Sequence, residues 1–254
     1  MRTGRLDLAG AADAIAALGA DVVAVQEIDR ELPRTGGVDQ VAELATRTGL
    51  HGVFAPALLG DPDTRWTSVP VTDPGGPGYG IGLLSRPPLT AVRRIALPGG
   101  GDGERSPNAS LRNPGFDREP RIALAATLSV GGVEVVVATV HLSYLPWRGL
   151  AQVRAAGAAV AAGGGPAALI GDFNLPAWPV RLALGDGWVH AGGRPTYPAW
   201  NPRLQVDQML VRGGLTVRDV GVGAAATSDH LPLFATVALP EGVSEKPGIR
   251  VLLG

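Results

Sequence analysis

The feature that most constrains the fold is a recurring pattern of short apolar segments that each end in an acid, an amide or an imidazole. The clearest segment is residues 168–170, which run into Gly171, Asp172, Phe173 and Asn174. Side chains two residues apart on a strand point the same way, so Asp172 and Asn174 are predicted to face one place beyond the strand end. Taken alone, a strand followed by an Asx-type turn explains this motif equally well.

Further segments of the same form favour a shared site. Glu27 follows the apolar run 21–25, His141 ends the β-branched run 133–140, and Asp229 and His230 precede the run 231–239. Asp207 lies inside an otherwise apolar run. Buried carboxylates cost several kcal/mol unless they are paired or bound to a metal. Polar groups repeated at so many strand ends therefore indicate one converging site.

The hydrophobic periodicity predicts a mixture of helices and strands in a single domain over residues 1–239. Helices are expected over 8–18, 38–48 and 148–162, and strands over 22–26, 53–57, 79–84, 89–97, 121–130, 133–142, 167–171, 204–211, 215–222 and 231–239. Residues 60–78 and 98–120 lack this periodicity and are expected to be long loops. The tail 240–254 is expected to be loosely ordered. Strands joined both by hairpins and by helices favour an α/β fold of two mixed sheets packed face to face.

Composition limits the classes of function. The net charge of -1 argues against a large non-specific nucleic-acid surface, which needs a basic face. The absence of cysteine excludes disulfides and thiolate metal sites. The sequence shows neither an apolar run long enough to span a membrane nor a signal peptide, so a cytoplasmic protein without stable membrane insertion is expected. Nothing in the sequence fixes the oligomeric state.

The motifs, taken in order, resemble the endonuclease/exonuclease/phosphatase superfamily, and the resemblance runs from about Leu6 to Leu239. It rests on the series Gln-Glu, His, Gly-Asp-x-Asn, a strand Asp and Ser-Asp-His. It implies a four-layer sandwich of two packed mixed β-sheets flanked by helices, with the site at one rim between the sheets. It also implies phosphoester hydrolysis with a divalent cation.

The residue types suit that chemistry, and some of them also have a plainer alternative. Glu27 and Asp229 are candidate ligands for Mg²⁺ or Mn²⁺, which prefer oxygen, although an exposed acid at a strand end is common. Asp172 is the candidate base for the attacking water. His141 is a candidate phosphate or leaving-group contact, or else a core histidine whose polar atoms are paired.

Three further polar groups complete the predicted site. Asn174 can donate its amide to a phosphate oxygen. His230, as an imidazolium, can stabilise developing negative charge, and Asp207 can accept the other ring N–H of His230.

The chain departs from the family pattern at its start. Family members begin with a strand ending in an Asn that helps to hold the metal, and no such strand precedes residue 6 here. We therefore expect an unpaired edge beside the strand 22–26, and an upstream extension in the gene that supplies the strand.

The leading hypothesis is a Mg²⁺- or Mn²⁺-dependent hydrolase of a phosphodiester or phosphomonoester, acting by direct attack of water. A small molecule or a lipid head group is the favoured substrate, and an endonuclease is an alternative. The alternative from another class is a catalytically impaired relative that acts as a binding or scaffold protein.

Overall fold

Two mixed β-sheets pack face to face, and helices cover their outer surfaces. The computed structural model describes residues 6–104, 117–224, 227–240 and 248–254. The helices are α1 (Leu8–Leu18), α2 (Gln40–Thr48), α3 (Pro146–Ala161) and α4 (Ala177–Leu184), with a 3-10 turn at Pro33–Thr35. This is the four-layer α/β sandwich that the sequence predicts.

The larger sheet has eight strands among the described residues. In spatial order they are β12 (Thr216–Val222), β13 (Leu233–Ala238), β14 (Ile249–Leu253), β1 (Val22–Arg30), β4 (Gly78–Ser85), β2 (His51–Gly60), β3 (Arg65–Ser68) and β6 (Gly103–Glu104). The smaller sheet has the order β10 (Val189–His190), β11 (Asp207–Arg212), β9 (Ala167–Asp172), β8 (Val133–His141), β7 (Ile122–Val130) and β5 (Thr90–Ala96). β1 runs parallel to β14 and β8 runs parallel to β9.

The layering follows from alternation along buried strands. Val22 and Ala24 of β1 belong to the core between the two sheets, whereas Val23 and Val25 belong to the core beneath α1 and α2. Successive side chains of a strand point to opposite faces, so a continuous β-branched run is suited to a strand covered on both sides. A third core lies between the smaller sheet and the helices α3 and α4.

Local signals place several element ends as predicted. Asp7 caps α1 by accepting a hydrogen bond from the Gly10 amide at 2.8 Å, and Gly19 ends the helix in the left-handed conformation. The β7–β8 hairpin turns at Gly131 and Gly132, which both have positive φ. That conformation is the one a type I′ turn requires.

Some expected boundaries are wrong. Strand β3 lies inside the segment 60–78 that was expected to be a loop, because it pairs with both β2 and β6. Helix α4 follows β9 directly and was not predicted, since Pro176 and Pro179 interrupt its apolar periodicity. β11 begins at Asp207 rather than at residue 204, so Asp207 lies at a strand end and not in the middle of a strand. Much of the loop 98–120 lies outside the described residues.

The expectation of a loosely ordered tail is wrong for residues 248–254. Residues 249–253 form β14, and Val251 and Leu253 are fully buried. β14 lies between β1 and β13, so the edge of β1 that was expected to be unpaired has a hydrogen-bonded neighbour. Three apolar residues in the run Val251-Leu252-Leu253 bury enough surface to explain why this short segment is ordered.

Candidate active site

Three of the residues predicted to form the site lie side by side at one end of the smaller sheet. In the strand register His141 of β8 pairs with Asp172 of β9, and Asp172 pairs with Asp207 of β11. His141 Nε2 is 3.7 Å from Asp172 Oδ2, and all three side chains are largely buried. The apolar runs end at the same level of the sheet, and this alignment is what brings the polar groups together.

The turn after β9 depends on Gly171 and Asn174. Gly171 has a φ of 134°, and a Cβ there would lie 2.1 Å from the Val140 carbonyl oxygen, so only glycine fits. Asn174 has a φ of 51°, which places it in a left-handed turn and not on the strand. The prediction that Asp172 and Asn174 point together by strand alternation is therefore wrong, although both line the same cleft.

Hydrogen bonds fix both side chains of this turn. The backbone N–H of Asn174 donates to Asp172 Oδ1 at 2.8 Å, and the side-chain Nδ2 of Asn174 donates to the Leu142 carbonyl at 2.9 Å. Because a carboxamide nitrogen carries two hydrogens, Asn174 can use the second for a ligand.

Glu27 reaches the site from the larger sheet through a β-bulge. The pairing of β1 with β4 shifts register between Val25 and Ile28, and Glu27 has a φ of 55°. A bulge places an extra residue in one strand and redirects its side chain. The Glu27 carboxylate thus faces the smaller sheet, with Oε1 4.0 Å from His141 Nε2 and 68 % of its side chain exposed.

His230 joins the two sheets through Asp207. His230 lies in the connection between β12 and β13, and its Nδ1 is 2.8 Å from Asp207 Oδ2. The Thr196 hydroxyl donates to the same carboxylate oxygen, and Thr196 is fully buried. The Tyr197 ring packs against the His230 ring with centroids 4.8 Å apart. Asp207 thus receives bonds from a histidine and a threonine that lie in two different connections.

The surroundings of Asp172 and His230 raise the pKa values of both groups. Burial, and then the neighbouring Asp207 carboxylate, raise the pKa of Asp172 to about 7. Burial lowers the pKa of His230, but the hydrogen bond to Asp207 and the charges of Asp207, Asp172 and Asp229 outweigh it and raise the pKa to about 9. Near neutral pH, His230 is therefore an imidazolium, and Asp172 is close to its own titration midpoint.

The surroundings shift the pKa values of the other two titratable groups, His141 and Glu27, in opposite directions. Burial, and then the charges of Arg121 and His230, hold the pKa of His141 well below its usual value, so His141 is neutral. The walls of the cleft raise the pKa of Glu27 by desolvation, and the nearby Asp229 raises it further. A bound cation would reverse the effect on Glu27, because it favours the ionised carboxylate.

Two residues near the site were not predicted from the sequence. Arg121 is 6 % exposed, lines the cleft, and pairs with Glu119 at 3.0 Å. Thr196 lies in the connection between β10 and β11, and nothing in its local sequence marks it as part of the site. Arg121 stands at the start of the β7 segment just after Pro120, so a polar residue at a strand start is the one signal that could have identified it.

The donor set suits a hard divalent cation. Within the described ranges, no three His, Asp or Glu side chains converge as a cage that could hold a metal without other ligands. Mg²⁺ does not require such a cage, because it usually keeps several waters and takes one or two carboxylates together with substrate phosphate. Glu27 and Asp229 both line the cleft, and Asp229 is near enough to raise the pKa of Glu27. These two carboxylates could therefore be the protein ligands of such an ion.

Comparisons with known proteins place the chain among the phosphoester hydrolases. Residues 2–230 match the Endonuclease/Exonuclease/phosphatase family, and the chain belongs to that family. Members of the family are hydrolases of phosphoesters and generally use a divalent metal. A search of curated proteins gives no match.

Solved structures of low sequence identity share the fold. An endonuclease/exonuclease/phosphatase from Beutenbergia cavernae is 22% identical with a TM-score of 0.64, over 94% of this chain and 74% of that one. A mannosyl-6-phosphatase from Bacteroides thetaiotaomicron is 14% identical with a TM-score of 0.63, over 91% and 90% of the two chains. A humanized D. rerio TDP2 is 17% identical with a TM-score of 0.61, over 88% of each chain.

Proposed function

We propose that this protein hydrolyses a small phosphoester by direct attack of water, with Mg²⁺ or Mn²⁺ held by Glu27 and Asp229. The observation that carries the proposal is that Asp172, whose pKa is about 7, lies beside Asp207 on the neighbouring strand, and Asp207 in turn holds His230 in the same cleft. A bound cation would neutralise charge on the phosphoryl oxygens and so favour attack by an oxygen nucleophile.

Each side chain has a role that its surroundings support. Asp172 accepts a proton from the attacking water, and a base with a pKa near the working pH is the most effective. His230 carries a positive charge that Asp207 maintains, and it donates its Nε2–H to a phosphoryl oxygen. Asn174 donates its second amide hydrogen to the same group. His141 is neutral and hydrogen-bonds to the phosphate or to the leaving oxygen.

The cleft favours a small substrate over a nucleic acid. It has a volume of about 490 Å³, within the size range of small-molecule sites. Its lining carries Glu27, Asp63, Glu119, Asp172 and Asp229. The arginines of this lining are Arg34 and Arg121, and both are ion-paired with neighbouring acids. The cleft itself therefore lacks the excess positive charge that a nucleic-acid backbone requires.

A substrate panel with and without chelator tests the proposal. Sugar phosphates, polyol phosphates, lipid head-group phosphodiesters and oligonucleotides would be assayed with Mg²⁺, with Mn²⁺ and with excess chelator. We expect hydrolysis of at least one small phosphoester that chelator abolishes and added cation restores. Faster cleavage of oligonucleotides than of every small ester would favour the endonuclease alternative. A stable protein that is inert toward every ester would favour the scaffold alternative.

A further inference from the structure

Large apolar side chains are exposed on the three segments that follow β8, follow β9 and precede β11, at the active-site end of the smaller sheet. Trp147, Trp178 and Trp200 are 68%, 70% and 75% exposed, and Leu182 and Leu204 are 76% and 53% exposed. We call these five residues the aromatic rim. A soluble domain rarely exposes so many large apolar side chains in one region unless the region binds something.

The aromatic rim is one region because its segments adjoin one another at the active site. Trp147 begins α3 after β8, Trp178 begins α4 after β9, and Trp200 lies in the connection before β11. A Cβ on Gly149 would meet the Leu175 side chain at 3.0 Å, which places the first turns of α3 and α4 together. The Phe173 amide bonds to the Val206 carbonyl at 3.0 Å, which joins the third segment to the second.

The charge of these segments is mainly positive, because the acids between residues 142 and 206 are Asp172 in the site and the exposed Asp186. Residues 142–171, 173–185 and 187–206 contain no Asp or Glu. They contain exposed arginines on each segment, namely Arg154, Arg181, Arg194 and Arg203. This contrasts with the acidic lining of the cleft that they surround.

We propose that the aromatic rim docks the protein onto an anionic lipid surface. Trp178, Arg181 and Leu182 lie on one exposed face of α4, and this combination of Trp, Leu and Arg is typical of segments that lie in a membrane interface. Arginine side chains pair with lipid phosphates, while tryptophan and leucine enter the boundary of the acyl chains. Single-stranded nucleic acid is the competing partner, but its bases stack on aromatic planes and gain little from exposed leucines such as Leu182 and Leu204.

Vesicle sedimentation tests this inference independently of catalysis. The protein would be mixed with vesicles of phosphatidylcholine alone, and with vesicles of equal parts phosphatidylcholine and phosphatidylglycerol. We expect binding to the mixed vesicles, with a blue shift of tryptophan fluorescence, and weaker binding to phosphatidylcholine alone. The Trp178→Ser/Leu182→Ser double variant should lose at least about tenfold in partitioning, because two large apolar side chains no longer leave water.

Matched controls separate docking from misfolding and from simple charge attraction. Val92→Ser removes an exposed valine from β5, at the other edge of the smaller sheet, and should leave partitioning unchanged. Arg181→Gln/Arg203→Gln should weaken binding only to the anionic vesicles. Melting temperature should stay the same in the double variant. No partitioning into mixed vesicles at low salt, or full partitioning by the double variant, would overturn the inference. Binding of a single-stranded oligonucleotide that the Trp178→Ser/Leu182→Ser variant loses, in a protein that binds neither kind of vesicle, would overturn it in favour of nucleic acid.

Discussion

The two halves of the candidate site are built in opposite ways. The half on the smaller sheet, with His141, Asp172 and Asp207, is buried and fixed by hydrogen bonds and strand register. On the larger sheet, Glu27 is held by a bulge and remains 68 % exposed. The first half is organised by the fold itself, whereas the second presents a carboxylate to the solvent. In the proposed mechanism the smaller sheet therefore supplies the proton chemistry, and the larger sheet supplies ligands for the cation.

The largest expected effect is on turnover, from the smaller sheet. Asp172→Asn keeps the shape of the side chain and removes the base, so turnover should fall by about 10²–10⁴-fold. Steady-state kinetics on the best substrate would measure the change. Asp186→Asn alters an exposed acid outside the cleft and is the control. Wild-type turnover in Asp172→Asn would exclude Asp172 as the base.

The same substitution should change stability with a defined dependence on pH. Asp172 has a folded-state pKa of about 7, above its ordinary value of 3.8. Between those values the folded protein retains a proton that the unfolded chain has lost, so the free energy of unfolding falls as pH rises through this range. In metal-free protein, Asp172→Asn should therefore raise the melting temperature at pH values above 7 and change it little near pH 4. Equal shifts at both pH values would contradict the burial of an ionisable Asp172.

The sequence predicted the buried half of the site better than the open half. His141 and Asp172 follow continuous apolar runs and Asp207 precedes one, and neighbouring buried strands whose ends are aligned bring these groups together. The direction of Glu27 was not predictable from periodicity, because a bulge breaks the alternation on which periodicity depends. Thr196 was missed because the fold of the connection before β11 brings it to Asp207, eleven residues further along the chain, and no local pattern marks that contact.

β14 is a second place where local sequence was misleading. The segment is short, follows residues 241–247, which lie outside the described part of the chain, and has a pattern that is too brief to show a period. Its order comes from tertiary contacts with β1 and β13. A long-range parallel pairing of this kind has no signature in the segment itself.

Truncation of a buried side chain in β14 should lower the free energy of unfolding. The expected loss is close in size to the activation free energy that loss of the base would add. Leu253 is fully buried in the core between the sheets, so Leu253→Ala should reduce the free energy of unfolding by about 2–5 kcal/mol. Urea unfolding would measure it, and Leu210→Ala in β11 is the matched change in the smaller sheet. A loss below about 0.5 kcal/mol, typical of a surface position, would show that β14 is not packed as described.

A smaller effect is expected for cation binding by the larger sheet. Glu27→Gln removes a ligand charge and should weaken the affinity for Mg²⁺ by at least about tenfold. Isothermal titration calorimetry would measure it. Glu31→Gln is the matched control, because Glu31 is exposed, follows the same strand and also has a positive φ of 57°. Unchanged affinity in Glu27→Gln would remove this residue from the proposed metal site.

The smallest expected effect concerns the threonine that positions Asp207. The Thr196 hydroxyl and His230 Nδ1 bond to the same oxygen of Asp207, so the hydroxyl restricts the orientation of the carboxylate that holds His230. Thr196→Val has the same shape without the hydroxyl, and it leaves a buried carboxylate with one donor fewer, at a cost of about 1–3 kcal/mol. We expect kcat to fall by about five- to tenfold, which corresponds to the lower part of that range.

A conservative replacement separates positioning from packing at Thr196. Thr196→Ser restores the hydroxyl but loses the methyl group, so it should recover kcat although it disturbs packing more than Thr196→Val does. KM should change little in either variant, because Thr196 is fully buried behind Asp207 and does not contact the substrate. Recovery of kcat in the serine variant, together with its loss in the valine variant, would show that the half of the site on the smaller sheet extends to this hydroxyl. The reverse order would limit Thr196 to a packing role.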